Sequence, residues 1–189
     1  MNSILSIENV VKRYNGTTAV DRISLEIPKQ TIFGLLGPNG AGKTSLIRMI
    51  TQITAADEGR ILFNGEPLKP DHAERIGYMP EERGLYKQMK IGDHLIYLAQ
   101  LRGLSAAEAN KRIHAWFEKF EITDWWNKKV EELSKGMQQK VQFIGTLLHD
   151  PDVVILDEPF SGLDPINSQA LKDTVVDLKH RGKTVIFST

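Results

Sequence analysis

The apolar positions of this chain are spaced first as strands, then as helices, then as the two in alternation. Over roughly the first 65 residues, short apolar runs at 4–11, 23–27, 32–36 and 60–64 are separated by Asn15-Gly16, Pro28 and Asn64-Gly65, the punctuation of strands and turns. A further short strand fits 75–79, closed by Pro80. From Gly92 to His149 the spacing turns helical. Ser105 and Glu108 have the spacing of a capping box, after which Ile113, Trp116, Phe117 and Phe120 share one face. A second helix is expected behind Ser134, burying Met137, Val141, Ile144 and Leu148 and ending ahead of Pro151. The run 153–156 is wholly apolar, as in a strand buried on both faces. A helix over 167–181 closes on Lys179, His180, Arg181 and Gly182, and 184–189 reads as another buried strand.

One glycine-rich segment gives this alternation a purpose. Gly37, Pro38, Asn39, Gly40, Ala41, Gly42, Lys43 and Thr44 follow a run, 31–37, that reads as a buried strand. Behind them, Ser45 leads into Leu46, Ile47 and Ile50 at helical spacing. The glycines let the backbone wrap closely enough for successive N–H groups to face phosphate oxygens. Lys43 supplies a point charge for β- and γ-phosphates, and the Thr44 hydroxyl can ligate Mg²⁺. A purely structural glycine turn is the bland alternative; the strand ahead and the helix behind decide against it, because together they set a phosphate on a helix N-terminus. The expected fold class is α/β: a P-loop NTPase core with an N-terminal antiparallel β subdomain and an inserted α-helical subdomain. It forms a single domain over 1–189, with the core at 1–84 and 151–189 and the helical part at 85–150.

Composition narrows the setting. Lysine plus arginine and aspartate plus glutamate number 24 each, so there is no basic field of the kind nucleic-acid binders carry, and no nucleic-acid partner is expected. With no cysteine, disulfides and thiolate zinc sites are excluded. The N-terminus lacks the pattern of a signal peptide, and no stretch approaches the ~20 apolar residues of a membrane span. His72, His94, His114, His149 and His180 share no metal spacing and are expected at the surface or as caps, whereas Trp125 and Trp126 are expected in the core of the helical part.

Asp157 and Glu158 stand at the C-terminal end of the apolar run, the end of a parallel strand where ligands bind. There one carboxylate can hold Mg²⁺ and the next can polarise an attacking water. With these residues in place, the chain resembles along its whole length the nucleotide-binding subunits of ATP-binding-cassette transporters. Tyr14 stands where that family sets an aromatic ring against adenine, and Leu133, Ser134, Lys135, Gly136 and Met137 resemble its signature motif. Asp157 matches its metal aspartate, Glu158 its catalytic glutamate, and 161–164 its dimer-contacting loop.

The resemblance implies ATP and Mg²⁺ as ligands, with hydrolysis carried by Lys43 and Glu158. It implies a second copy bound head to tail, whose Ser134 and Gly136 meet the γ-phosphate, and a separate transmembrane permease that holds the chain at the cytoplasmic face of the membrane. Glu81 stands where the family usually has a metal-touching glutamine, and residues 80–86 resemble an exporter branch similar to sodium-efflux subunits. The family's γ-phosphate histidine follows directly after the strand that here reaches Thr189. The resemblance therefore implies a chain cut short at its C-terminus, with slow turnover. Two other readings stay open: an ATP-driven switch working on nucleic acid or ribosomes, and a nucleotide-binding fragment without useful turnover.

Overall fold

Asn15 and Gly16 both take positive φ, 46° and 82°, and the tight turn they make joins the first two strands. The computed structural model describes residues 2–82, 84–161 and 165–189, the last segment with its side chains from 168 onward. Strand β1 (Ser3–Tyr14) pairs antiparallel with β2 (Thr17–Pro28), down to Arg13 opposite Thr18 and Tyr14 opposite Thr17. Both arms outrun the apolar stretches that marked them, because the hairpin's outer end pairs polar residues in solvent, as an antiparallel sheet permits. Strand β4 (Glu58–Phe63) takes the other edge of β1, and the short β5 (Glu66–Pro67) completes the order β2-β1-β4-β5. A bulge interrupts β1 at Asn9, φ 48°, whose N–H donates to Ser24 Oγ at 2.8 Å. Opposite it only a glycine fits, since a Cβ on Gly59 would lie 2.4 Å from the Glu8 and Asn9 carbonyl oxygens.

The second sheet is parallel throughout. Its order is β3-β8-β7-β6, from β3 (Ile32–Leu35), β6 (Ile76–Met79), β7 (Val153–Asp157) and β8 (Thr184–Ser188). All five residues of β7 are buried, the four of its unbroken apolar run and Asp157 at its end. Successive side chains of a strand point to opposite faces, and β7 divides its residues accordingly. Val153 and Ile155 join a core built with Ile4, Val10, Phe63 and the inner face of α1 (Lys43–Ile50). Val154 and Leu156 join a second core with the helical part and α5 (Pro165–His180). The strand β3 is less enclosed than its apolar sequence suggests. It is the edge of the sheet, and Ile32 and Leu36 are exposed.

Helices α2 (Ile91–Leu101), α3 (Ala106–Lys119) and α4 (Lys135–Leu147) form the insert. Ser105 Oγ accepts the Glu108 N–H at 3.2 Å; the Glu108 carboxylate turns instead to Arg112 at 2.8 Å, so only half of the capping box forms. Ile113, Phe117 and Phe120 are buried as their spacing requires, with Trp116 half-buried. In α4 and at its C-terminal cap, Val141, Ile144 and Leu148 are buried, yet so are Gln139, Gln142, Phe143 and Thr146. The helix is enclosed on more than one face because it is wedged between α2 and β6.

The histidines need a correction. His94 is fully buried on the inward face of α2, between Ile91 and Leu95, and both His149 ring nitrogens are buried. Burial, reinforced by the charge of Arg102, pushes His149 down to about 4. His72 does act locally, its Nδ1 accepting the Lys69 N–H at 3.2 Å, while His114 stacks on Trp126 at 4.6 Å. Trp125 lies in the core, 9% exposed. Trp126 also locks the first turn of α2: the Gly92 N–H donates to its carbonyl at 3.0 Å, and a Cβ on Gly92 would lie 2.4 Å from its indole. Gly92→Ala should therefore cost about 1–3 kcal/mol of stability by overpacking. Urea unfolding measures this, and an unshifted midpoint at unchanged slope would contradict the packing.

Candidate nucleotide-binding site

The glycine loop runs from the end of β3 into α1 and is shaped by its neighbours as much as by itself. Gly42 has φ 87°, and a Cβ there would lie 2.2 Å from the Ala19 carbonyl oxygen of β2, so the residue must be glycine. The loop closes on itself through Ala41 N–H to Pro38 O at 3.1 Å and is tied to the residue after β8 by Gly37 N–H to Thr189 O at 3.4 Å. Helix α1 begins with no side-chain cap and no acidic residue in its first turn. Among the described residues, no acceptor takes the N–H groups of Lys43, Thr44 or Ser45, which leaves the positive end of the helix directed at the cleft. Lys43 Nζ bends back over the loop to donate to the Gly37 and Pro38 carbonyls, the latter at 3.2 Å.

The acidic side of the cleft comes from the parallel sheet. Asp157, 3% exposed, ends β7. Thr44 Oγ1 donates to Asp157 Oδ2 at 3.3 Å, and Ser188 Oγ donates to Oδ1 from the register-paired position on β8. These contacts hold a buried carboxylate through two hydroxyl groups, at the wall of the cleft. Glu158 follows with φ 49°, a left-handed conformation that a residue with a Cβ adopts only when its surroundings hold it. Glu81 arrives from the loop after β6. A cleft of about 290 Å³ is lined by Ala19, the loop from Asn39 to Ser45, Glu81, Asp157 and Glu158. A second cavity of about 200 Å³ shares Glu81, Asp157 and Glu158 and adds Gln139, Gln142 and Ser161. Tyr78, on β6, is pushed up to about 12, mainly by burial and then by the charge of Asp157.

Not every residue read from the sequence meets here. Tyr14 sits at the hairpin end, 39% exposed with Lys12 Nζ 5.4 Å from its ring centre, and does not line the cleft. Ser134 is exposed and caps α4, its Oγ accepting the Met137 N–H at 3.3 Å; Gly136 is buried beside it, and neither lines the cleft. Of the loop 161–164, Ser161 lines the second cavity, and 162–164 lie outside the described residues. Sequence reasoning missed Ser188, although a polar residue closing an apolar strand is the same signal that singled out Asp157. It also missed Ala19 and Gln142, and read Gln139 only as part of the run that follows the signature-like motif; the positions of all three depend on packing between distant segments.

The donor set fits a nucleoside triphosphate with magnesium. Unpaired helix N–H groups and a lysine suit phosphate oxygens. A threonine hydroxyl and an aspartate oxygen 3.3 Å apart are the hard oxygen ligands that Mg²⁺ takes in small number beside substrate phosphates. Such a site on such a sheet defines a nucleotide-binding α/β protein.

Comparison with known proteins narrows the class. The ABC transporter family model matches residues 20–161. An uncharacterized ABC transporter ATP-binding protein of Bacillus subtilis, YhaQ, is 52% identical over 98% of this chain and 62% of its own length. An uncharacterized ABC transporter ATP-binding protein of Methanocaldococcus jannaschii, MJ1023, is 44% identical over 100% of this chain and 69% of its own. The chain thus spans less than two thirds of the length of the first of these relatives. A solved ATP-binding subunit of an ABC transporter superposes with a TM-score of 0.88 at 28% identity, over 99% of this chain and 79% of that one. The chain belongs to the ABC transporter family, among its ATP-binding subunits, and has their α/β fold with antiparallel β subdomain and helical insert.

Lys43→Ala should weaken ATP binding by about tenfold or more, the worth of a charge-assisted contact in a partly enclosed site. Titration calorimetry checks it; an unchanged affinity would overturn the assignment of the loop.

Proposed function

We propose that this protein binds and hydrolyses ATP to drive transport through a separate membrane permease, working as a head-to-tail pair of nucleotide-binding domains. The observation that carries the reading is the convergence of the uncapped start of α1, Lys43, Thr44, Asp157 and Glu158 on one cleft. ATP hydrolysis is a general property of ABC transporter ATP-binding subunits. The loop of Gly37, Pro38, Asn39, Gly40, Ala41, Gly42, Lys43, Thr44 and Ser45 wraps the phosphates; the N–H groups of Lys43, Thr44 and Ser45, which no carbonyl among the described residues takes, are the donors, and Lys43 adds its charge. Thr44 and Asp157 hold Mg²⁺, with Glu81 within reach from the loop after β6. The metal supplies charge neutralisation for the phosphates. Glu158 is the carboxylate that orients and polarises the attacking water. Tyr14 gives the adenine a ring to stack on. Ser134 and Gly136, remote from their own chain's cleft, serve the γ-phosphate held by the second copy.

Support for the permease lies on the helical insert. Tyr86, Tyr97 and Leu101 are exposed, at 54%, 40% and 64%, and Tyr86 and Tyr97 pack edge to face at 6.0 Å. Tyr86 precedes α2 in the chain and Tyr97 and Leu101 lie on it, so a partner seated there would sit a few residues from Glu81 of the nucleotide cleft. Among the described residues, no helix is long and apolar enough to cross a membrane. In this reading the permease holds the protein at the cytoplasmic face. The wording of residues 80–86 favours an exporter of the sodium-efflux type within the family.

Glu158→Gln should retain ATP binding, lose most phosphate release and accumulate an ATP-bound dimer, because the amide keeps the shape of the side chain but accepts no proton. Hydrolysis at the parental rate would place the water-polarising group elsewhere. The absence of cysteine makes cross-linking clean. A single cysteine at Tyr97 or Leu101 should capture the permease efficiently and one at Lys172 or Lys179 should not; the reverse pattern would move the docking surface to α5.

A further inference from the structure

Gln139 lies where α4 meets the turn that follows Glu158. It is 4% exposed, and its Nε2–H donates to the Pro159 carbonyl at 2.5 Å. A carbonyl can only accept, so this contact fixes the amide's orientation and leaves Oε1 on the other side. Oε1 is buried and has no partner among the described residues. Gln139 is also part of the wall of the ~200 Å³ cavity that includes Glu81, Asp157 and Glu158. Ionised carboxylates accept hydrogen bonds and do not donate them, so none of the three can satisfy Oε1. A water molecule can: one of its protons goes to Oε1 and the other to a carboxylate, in a space that is polar and wide enough to hold it.

The backbone at Glu158 needs such support. Its left-handed conformation is held by its own N–H donating to Ser188 O at 3.3 Å and by Ser161 N–H donating to its carbonyl at 3.2 Å. The Gln139 amide adds a third tether, on the next carbonyl along the chain.

We propose that Gln139 is the positioning residue of Glu158: its amide N–H clamps the peptide that follows Glu158, and its Oε1 holds a water against the Glu158 carboxylate. The proposal rests on the reading of Glu158 as the water-polarising group. Gln139 touches no phosphate in this arrangement and acts through Glu158 alone. Because Ser134 caps the same helix little more than a turn earlier, a displacement of α4 is passed to the backbone of Glu158 through this clamp.

The test is steady-state phosphate release by Gln139→Leu, with Gln139→Met as a second, flexible replacement of similar size should the branched side chain fail to fold. Either variant should lower kcat by about 10- to 100-fold, the scale set by a displaced catalytic group, while KM and the calorimetric Kd for ATP stay within about twofold. A merely structural role would lower the unfolding midpoint and leave kcat of the folded fraction intact. Added to Glu158→Gln, the substitution should cost nothing further, because both changes disable one device. Parental kcat in the folded variants, or a full additional loss in the double variant, would overturn the proposal while Glu158→Gln remains inactive. If the parent releases phosphate no faster than Glu158→Gln, the reading of Glu158 fails, and the proposal fails with it.

Discussion

Strand β7 is enclosed on both faces and paired on both edges, and the rest of the molecule is arranged around that enclosure. Its residues alternate between two cores, one shared with the antiparallel sheet and α1, the other with the helical insert and α5. Burying four aliphatic side chains completely is worth on the order of 1.5–3 kcal/mol each relative to exposure. That burial lets Asp157 stand at the strand's end as a nearly inaccessible carboxylate. An ionised group in such a place is costly unless its oxygens are hydrogen-bonded, and Thr44 and Ser188 supply the bonds from two other elements.

The phosphate side and the acidic side of the cleft face each other, one lysine and a helix N-terminus against three carboxylates. Lys43 and the unpaired N–H groups that open α1 face Glu81, Asp157 and Glu158 across about 290 Å³. Positive potential here comes in good part from backbone dipoles. Backbone dipoles let a chain with equal numbers of acidic and basic residues offer phosphate donors beside those carboxylates. The strain in the site is local: Gly42 is forced by the Ala19 carbonyl, and Glu158 is held in a left-handed conformation by bonds to its flanking peptides. Both belong to the segments that touch the nucleotide cleft, where stored strain accompanies function.

The helical insert supplies a different kind of constraint. Helix α4 is buried on several faces and carries amides at core positions, with Gln142 Nε2 donating to Pro80 O at 2.8 Å just before Glu81. Gln139 makes the matching contact to Pro159 just after Glu158. One helix thus grips the two loops that bring carboxylates to the cleft. The neighbouring α2 leaves Tyr97 and Leu101 exposed.

The sequence by itself determined the elements whose chemistry is local. The glycine loop, the capping of α3 by Ser105, the Asn15-Gly16 hairpin and the unbroken apolar run of β7 follow from backbone freedom, side-chain reach and periodicity, and each is found where it was read. Tertiary structure decided which residues met. The apolar run of β3 could not disclose that it lies at a sheet edge with Ile32 exposed, because burial depends on neighbours that local spacing does not name. His94 and His149 looked like surface residues, yet one falls on the inward face of α2 and the other is covered at the end of α4. Ser188 became a partner of Asp157 only through the register of β7 with β8, and Gln139 reached Pro159 only because α4 packs against the end of that sheet. Long-range pairing, which brings together positions separated by tens of residues, is fixed by the packing of whole faces, and no single stretch of the chain carries it.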